Sequence, residues 1–344
     1  MERPYEKQYK FDEVKQEINT IRDRITAVRT ELNHYFVNKR EIIDLMSVCT
    51  AAQEPMLVVG KPGTAKTDLV IKFCQALGLK EGEYFEYMLT KFTEPNEIIG
   101  PIDIEKMKKG FYLRKIEGKL PLAQIVFLDE IFKSNSAILN TLLTIINERK
   151  FYQDGKPVTV PLKMIFAATN EIPEFDELNA LKDRFVIKVG SFPVGDTHFE
   201  ELLEKGIQND LHKAFNRKPW LNLCSLEDFL KIKFYLDSQM SGLQQSNEIN
   251  PIDRDRKEFF PQPLFDLFKR ILKTLQKEQK IFISDRKIVK LYKLIRTRAF
   301  LLHGGNVRKE DLTLLRYIGD RVEDFSFIVE KVDRMIGLDS RTES

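Results

Sequence analysis

At 344 residues the chain has room for two domains, and a 42% apolar content supplies material for their cores. Lys and Arg number 55 against 52 Asp and Glu, and the net charge of +3 does not argue for a nucleic-acid partner, which is not expected. No apolar run approaches the about 18 residues of a membrane span, and MERPYEKQYKFDEVKQ carries no apolar leader, so the sequence predicts a cytoplasmic protein. Cys49, Cys74 and Cys224 are scattered and odd in number, which predicts buried thiols in a reducing compartment. His34, His198, His212 and His303 form no cluster, which argues against a zinc site or a Ser–His triad.

The predicted elements alternate. Val14, Ile18, Ile21, Ile25, Val28 and Leu32 recur at helical spacing within residues 10–33, and a second helix is expected over 39–52. MLVVG (56–60) reads as a strand ending in glycine, with a helix resuming at Lys66. YFEYML (84–89), IVFLDE (125–130), MIFAATN (164–170) and FVIKVG (185–190) read as further strands, with a helix over 134–149. Strands alternating with helices predict an α/β parallel sheet flanked by helices. From about 196 the strand signal stops, and the rest reads as helical except for a polar loop near 238–263. The expected division is a nucleotide-binding domain over 1–195 and a helical lid domain over 196–344.

Three motifs carry chemistry. In GKPGTAKT (60–67), Gly60 and Gly63, with the small Thr64 and Ala65, let backbone N–H groups face phosphates. The following helix presents its positive end to the same charge. Lys66 would add a point charge, and the Thr67 hydroxyl could bind Mg²⁺. Pro62 within the loop and Asp68 just after it are counted with the nucleotide-binding residues. Ala65 stands where the general pattern wants glycine, and is expected to be tolerated because alanine suits helical dihedrals. The second motif ends a buried strand in two acids, which is costly unless they have partners or work. Asp129 would hold Mg²⁺ and Glu130 would polarise the attacking water. In the third, Ala167-Ala168-Thr169-Asn170, the amide of Asn170 is expected between those acids and the phosphate loop.

These elements, in this order, resemble an AAA+ ATPase. Residues 85–155, from FEYMLTKFTEPNEIIG to FYQDG, resemble the MoxR class and within it the RavA subgroup, and the likeness runs from about residue 25 to about 320. The resemblance implies ATP and Mg²⁺ as cofactors and an oligomer, expected to be a homo-hexamer. It implies that Arg184 is an arginine finger reaching a neighbouring subunit's nucleotide and that Arg286 is the lid arginine sensing nucleotide state. Arg149 is a second candidate for a cross-subunit contact or a helix-end residue. Residues 101–120 would hold a short helix and a hairpin-like segment, and 150–161 a hairpin turning at Asp154-Gly155. The resemblance further implies chaperone-like work on protein complexes with a von Willebrand factor A domain partner, on a client the sequence does not name. The alternatives are a ring motor of a nucleic-acid-processing system and a nucleotide-gated scaffold with negligible turnover.

Overall fold

The computed structural model describes residues 9–175, 178–241, 251–279 and 281–338. Helices α1 (Phe11–Tyr35) and α2 (Arg40–Ala52) lead into β1 (Met56–Val59) and α3 (Lys66–Ala76). There follow β2 (Tyr84–Met88), the short α4 (Pro95–Ile99) and α5 (Ile104–Met107), β3 (Ile125–Asp129) and α6 (Ser136–Glu148). The hairpin β4 (Lys150–Gln153) and β5 (Lys156–Thr159) precedes β6 (Met164–Thr169), α7 (Asn179–Lys182) and β7 (Ile187–Gly190). The remainder is helical: α8 (Phe199–Ala214), α9 (Leu226–Ser241), α10 (Pro251–Phe259), α11 (Gln262–Gln279), α12 (Asp285–His303), a 3-10 helix over Lys309–Tyr317 and α13 (Asp324–Ile336).

Five strands form one parallel sheet in the order β2-β3-β6-β1-β7. β1, β3 and β6 are near-continuous apolar runs because both faces are covered. Side chains alternate between the faces. Met56, Val58, Phe127 and Phe166 join a cluster with α1, α2 and α3, whereas Leu57, Val59, Leu128 and Ala167 join one with α4, α6 and α7. Leu291, Ile295, Leu315 and Ile328 of the helical region belong to the first cluster, so the lid packs on α2 and the back of the sheet without a break in the core.

Two segments depart from the sequence expectation. Within the stretch read as a loop, α10 is a helix over Pro251–Phe259, while 242–250 lie outside the described residues. Its anchor is tertiary: Asp255 accepts from Arg296 Nε and Nη2 at 3.0 and 2.9 Å and from Tyr292 at 2.6 Å, all buried. A run with so many charges gives no apolar period, because here the core contact is an ion pair. The segment 111–119 makes one antiparallel bridge, Ile102 with Arg114, and no hairpin of its own. It rests on the β4–β5 tip, where Asp154 N–H donates to Tyr112 O at 3.0 Å. The turn itself has positive φ at Asp154 and Gly155 (53° and 69°), the conformation an Asp-Gly pair favours.

Candidate active site

Strand order assembles the site. β3, β6 and β1 are adjacent and parallel, so the residues leaving their C-terminal ends meet at one edge: Asp129-Glu130, Asn170 and the 60–67 loop. Gly60 N–H donates to Thr169 O at 3.0 Å, tying the loop to the end of β6. A Cβ on Gly60 would come within 2.1 Å of the Ser191 carbonyl oxygen, so this position admits only glycine. Gly63 has φ +83° with open space around it. Ala65 is not helical as expected. It has φ 62° and ψ 21°, a left-handed residue one step before α3. An L-residue there costs roughly 1–2 kcal/mol, which the turn into α3 imposes and the surrounding loop sustains.

Lys66 is buried. Its Nζ donates to Gly60 O, to Lys61 O at 3.2 Å and to Asn170 Oδ1 at 3.3 Å. Burial pushes its ammonium below the ordinary lysine range, while Asp129 and Glu130 pull it back up. Thr67 follows in the first turn of α3, and Asp68 is ion-paired one turn on with Lys72. Asp129 Oδ1 accepts from the Glu130 N–H at 2.9 Å. Glu130 is itself left-handed, with φ 53°, and its side chain is buried. Asn170 Nδ2 donates to Glu130 Oε1, and Lys133 Nζ lies 3.2 Å from the same oxygen. Asn170 therefore bridges Glu130 and Lys66 directly. Glu130 and Ala65 are two of the eight non-glycine residues with positive φ among the described residues, and both stand at this edge.

A cavity of about 490 Å³ adjoins the loop, lined by Gly63, Thr64, Ala65 and Asp68, and on the far side by Val37, Lys39, Phe192 and Pro193. The sequence reading missed this wall. Lys39 is a lone lysine at a helix start, and only the fold shows it donating to Ser191 Oγ at 3.1 Å and Phe192 O at 2.8 Å. Leu202, Lys205 and Asn209 of α8 close the rim. The volume suits a nucleoside beside a phosphate loop.

The predicted arginines lie elsewhere. β7 runs parallel to β1 with Ile187 beside Met56 and Gly190 beside Val59. Arg184 precedes β7, so it stands at the edge where the strands begin, opposite the phosphate loop. Arg149 ends α6, and Glu54, just before β1, supports its charge against burial. Arg286 is exposed in the first turn of α12, next to Lys287, and Lys290 of that helix is 2.7 Å from Glu54. Arg149, Arg184 and Arg286 thus share the edge remote from Lys66.

Four buried side-chain polar atoms lack a hydrogen-bond partner among the described residues. One, Arg298 Nε, lies 3.6 Å from Asp311. The other three are Glu130 Oε2 at the loop edge and Arg149 Nη1 and Arg184 Nε at the opposite edge. Arg184 Nη1 lies 3.5 Å from Asp183 Oδ2, which leaves its Nε without a partner. Unpaired buried polar atoms are costly and call for partners.

Residues 23–228 match the family described as the MoxR domain of MoxR-vWA-beta-propeller ternary systems, and 263–332 match an AAA lid domain. The chain belongs to the MoxR family of AAA+ ATPases. It is 33% identical over 318 residues to an uncharacterized protein of Methanocaldococcus jannaschii, covering 92% of this chain and 75% of that one. It is 24% identical over 182 residues to the chaperone MoxR1 of Mycobacterium tuberculosis, covering 52% and 47%. Among solved structures it resembles a candidate ATPase of Cytophaga hutchinsonii with TM-score 0.68 and 16% identity, over 94% of this chain and 97% of that one, a likeness of fold. No helix among the described residues is long and apolar enough to cross a membrane.

Proposed function

We propose that this MoxR chain hydrolyses ATP in a site that a second copy completes. The observation that carries the reading is the separation of unpaired groups: an unsatisfied carboxylate oxygen on Glu130 at one edge, and unsatisfied guanidinium nitrogens on Arg149 and Arg184 at the other. One copy's arginine edge set against the next copy's loop edge would give both their partners. A homo-hexamer, the ring this family resemblance implies, repeats that contact without free ends.

In this reading residues 60–67 hold the triphosphate, Lys66 neutralises it, and the cavity beside Val37, Lys39 and Asp68 takes the nucleoside. The buried Lys66, the glycine-only approach at Gly60 and the carboxylate of Asp129 fit a nucleotide with Mg²⁺. Thr67 and Asp129 would hold the ion, which supplies charge neutralisation at the phosphate oxygens. Glu130 takes the proton of the attacking water, and Asn170 fixes the carboxylate by bridging it to Lys66. Arg184 of the neighbour stabilises charge developing on the transferred phosphoryl group. Arg286 follows on the same edge and reports nucleotide state through α12.

The wider role rests on kinship. We place the chain nearest the RavA subgroup, with a core over 1–195 and a lid over 196–344, consistent with the last strand ending at Gly190. The family description names von Willebrand factor A systems, and a cytoplasmic, chaperone-like remodeller of protein complexes working with such a partner is the function we infer. The test is turnover per chain against protein concentration. It rises steeply with assembly if the site is shared. A rate per chain that is flat from monomer to oligomer contradicts the reading, and strong stimulation by DNA or RNA would favour a nucleic-acid motor instead.

A further inference from the structure

The arginine edge contains a charge cluster that the reaction does not explain. Lys188 sits in the middle of β7, its side chain fully buried, with Nζ 2.9 Å from Asp320 Oδ1. Lys287, in the first turn of α12 and only 3% exposed at its side chain, lies 3.5 Å from the same oxygen and donates to Ile318 O at 3.1 Å. One carboxylate therefore holds two buried ammonium groups, one from the sheet and one from the lid. Asp320 keeps 36% of its side chain in solvent, at the open side of the cluster. Burial works to raise its carboxyl, but Lys188 and then Lys287 hold it below the usual range.

Placement gives the cluster its meaning. Lys188 lies four residues after Arg184 on a strand locked to β1. Lys287 directly follows Arg286. Asp183, paired with Arg184, is close enough to favour the charged form of Lys287. Burying two lysines against one aspartate is a poor way to gain stability, since apolar residues of similar volume would do as well or better. Fixing two elements in register is a better-attested use of such groups.

We propose that Asp320, by holding Lys188 and Lys287 together, is a positioning residue that locks the first turn of α12 to β7, so that Arg184 and Arg286 are presented to a neighbouring subunit's nucleotide as one unit. The inference rests on the shared-site reading above. Of the lid's other ion pairs, Lys290 with Glu54 and Arg316 with Glu41 reach the start of β1 and α2, and Arg321 with Glu174 reaches the segment before α7, whereas Asp320 pairs with a side chain of β7 itself. When the lid moves, this latch is what carries the motion to Arg184.

The groups facing Lys287 are Lys188 on β7, Asp183 after α7, and Asp320 with the Ile318 carbonyl on the segment after the 3-10 helix. Burial first, and then Lys188, push Lys287 down to about 8, against Asp320 and Asp183. The latch therefore has a pH signature that a passive packing contact lacks.

The experiment compares assembled wild type with Lys188→Met, which removes the sheet side of the latch and leaves Asp320 paired to Lys287, and with Asp320→Asn and Asp320→Glu. Expected for Lys188→Met is kcat lower by about tenfold with KM for ATP within about twofold, since the loop edge is intact. Adding Arg286→Ala to Lys188→Met should cost little more than either change alone. The alkaline fall in kcat should move to higher pH in Lys188→Met and to lower pH in Asp320→Asn, and Asp320→Glu should restore most turnover. Full kcat in Lys188→Met while Arg184→Ala is inactive overturns the latch alone. Independent, multiplying effects of Lys188→Met and Arg286→Ala also overturn it. Wild-type turnover in Arg184→Ala overturns the shared site, and the latch with it. Should Asp320→Asn fail to fold, Lys188→Met, a replacement of similar size that leaves Asp320 with Lys287 as its counter-charge, carries the test by itself.

Discussion

The two edges of the sheet are built by opposite rules. At the loop edge the chemistry comes from short contiguous motifs at the ends of three neighbouring strands, and its polar groups form one connected network, Lys66 to Gly60, Lys61 and Asn170, and Asn170 to Glu130, which leaves Glu130 Oε2 without a partner. At the arginine edge the cations come from the end of α6, the turn before β7 and α12, and two of them keep unpaired nitrogens. The first edge is a connected network with one carboxylate oxygen left open, and the second keeps two open guanidinium nitrogens, which in the shared-site reading meet across two copies.

If the edges divide the work, substitutions should separate binding from turnover. The largest effect belongs to the arginine edge: Arg184→Ala should lower kcat by at least about 1,000-fold with nucleotide affinity retained, read by single-turnover kinetics beside equilibrium binding. At the loop edge, Glu130→Gln should lower turnover by about 100-fold or more while ATP stays bound, because the base is lost and the phosphate contacts remain. Equal loss of affinity in both variants would erase the distinction between the edges.

Smaller effects sharpen it. With its folded value pushed down to about 8 from an ordinary 10.5, Lys287 holds fewer protons when folded than when unfolded between those limits. Its burial penalty is therefore in full force below pH 8 and is lifted as pH rises toward 10.5. Denaturant midpoints should show a gain of about 2 kcal/mol from this group between pH 7.5 and 9.5, and Lys287→Met should abolish it. Smallest is Ala65→Gly, which relieves a left-handed alanine and should stabilise the chain by up to about 1 kcal/mol in a thermal melt. A destabilised Ala65→Gly would mean that the alanine side chain is held by contacts that outweigh its strain.

The contrast also explains what the sequence could reveal. The strands, the helix starting at Lys66 and the Asp154-Gly155 turn were legible because each depends on a local period or on the special conformations of glycine and its neighbours. The proximity of Asn170 to Glu130 could be anticipated because both end apolar runs that had to be parallel strands. The cavity wall at Val37, Lys39 and Phe192 was not legible, since no spacing links the start of α2 to the segment after β7 that it meets in the fold. Helix α10 was hidden for a related reason: Asp255 is buried by pairing with Arg296, so polarity misreported exposure. Arg286 could be found as a helix-start residue capped by Ser284, but its position on the far edge follows from Lys287, Asp320 and Lys188, whose meeting no linear pattern encodes.

The central claim is that one active site draws on two copies, and a mixing experiment tests it most directly. Arg184→Ala and Lys66→Ala chains, each inactive alone, are assembled together in equal amounts, with mixed assembly verified by differential tagging. The account predicts recovery to about a quarter of wild-type turnover, the random share of sites in which an intact loop faces an intact arginine. Verified mixed assemblies that stay as inactive as either parent would contradict it.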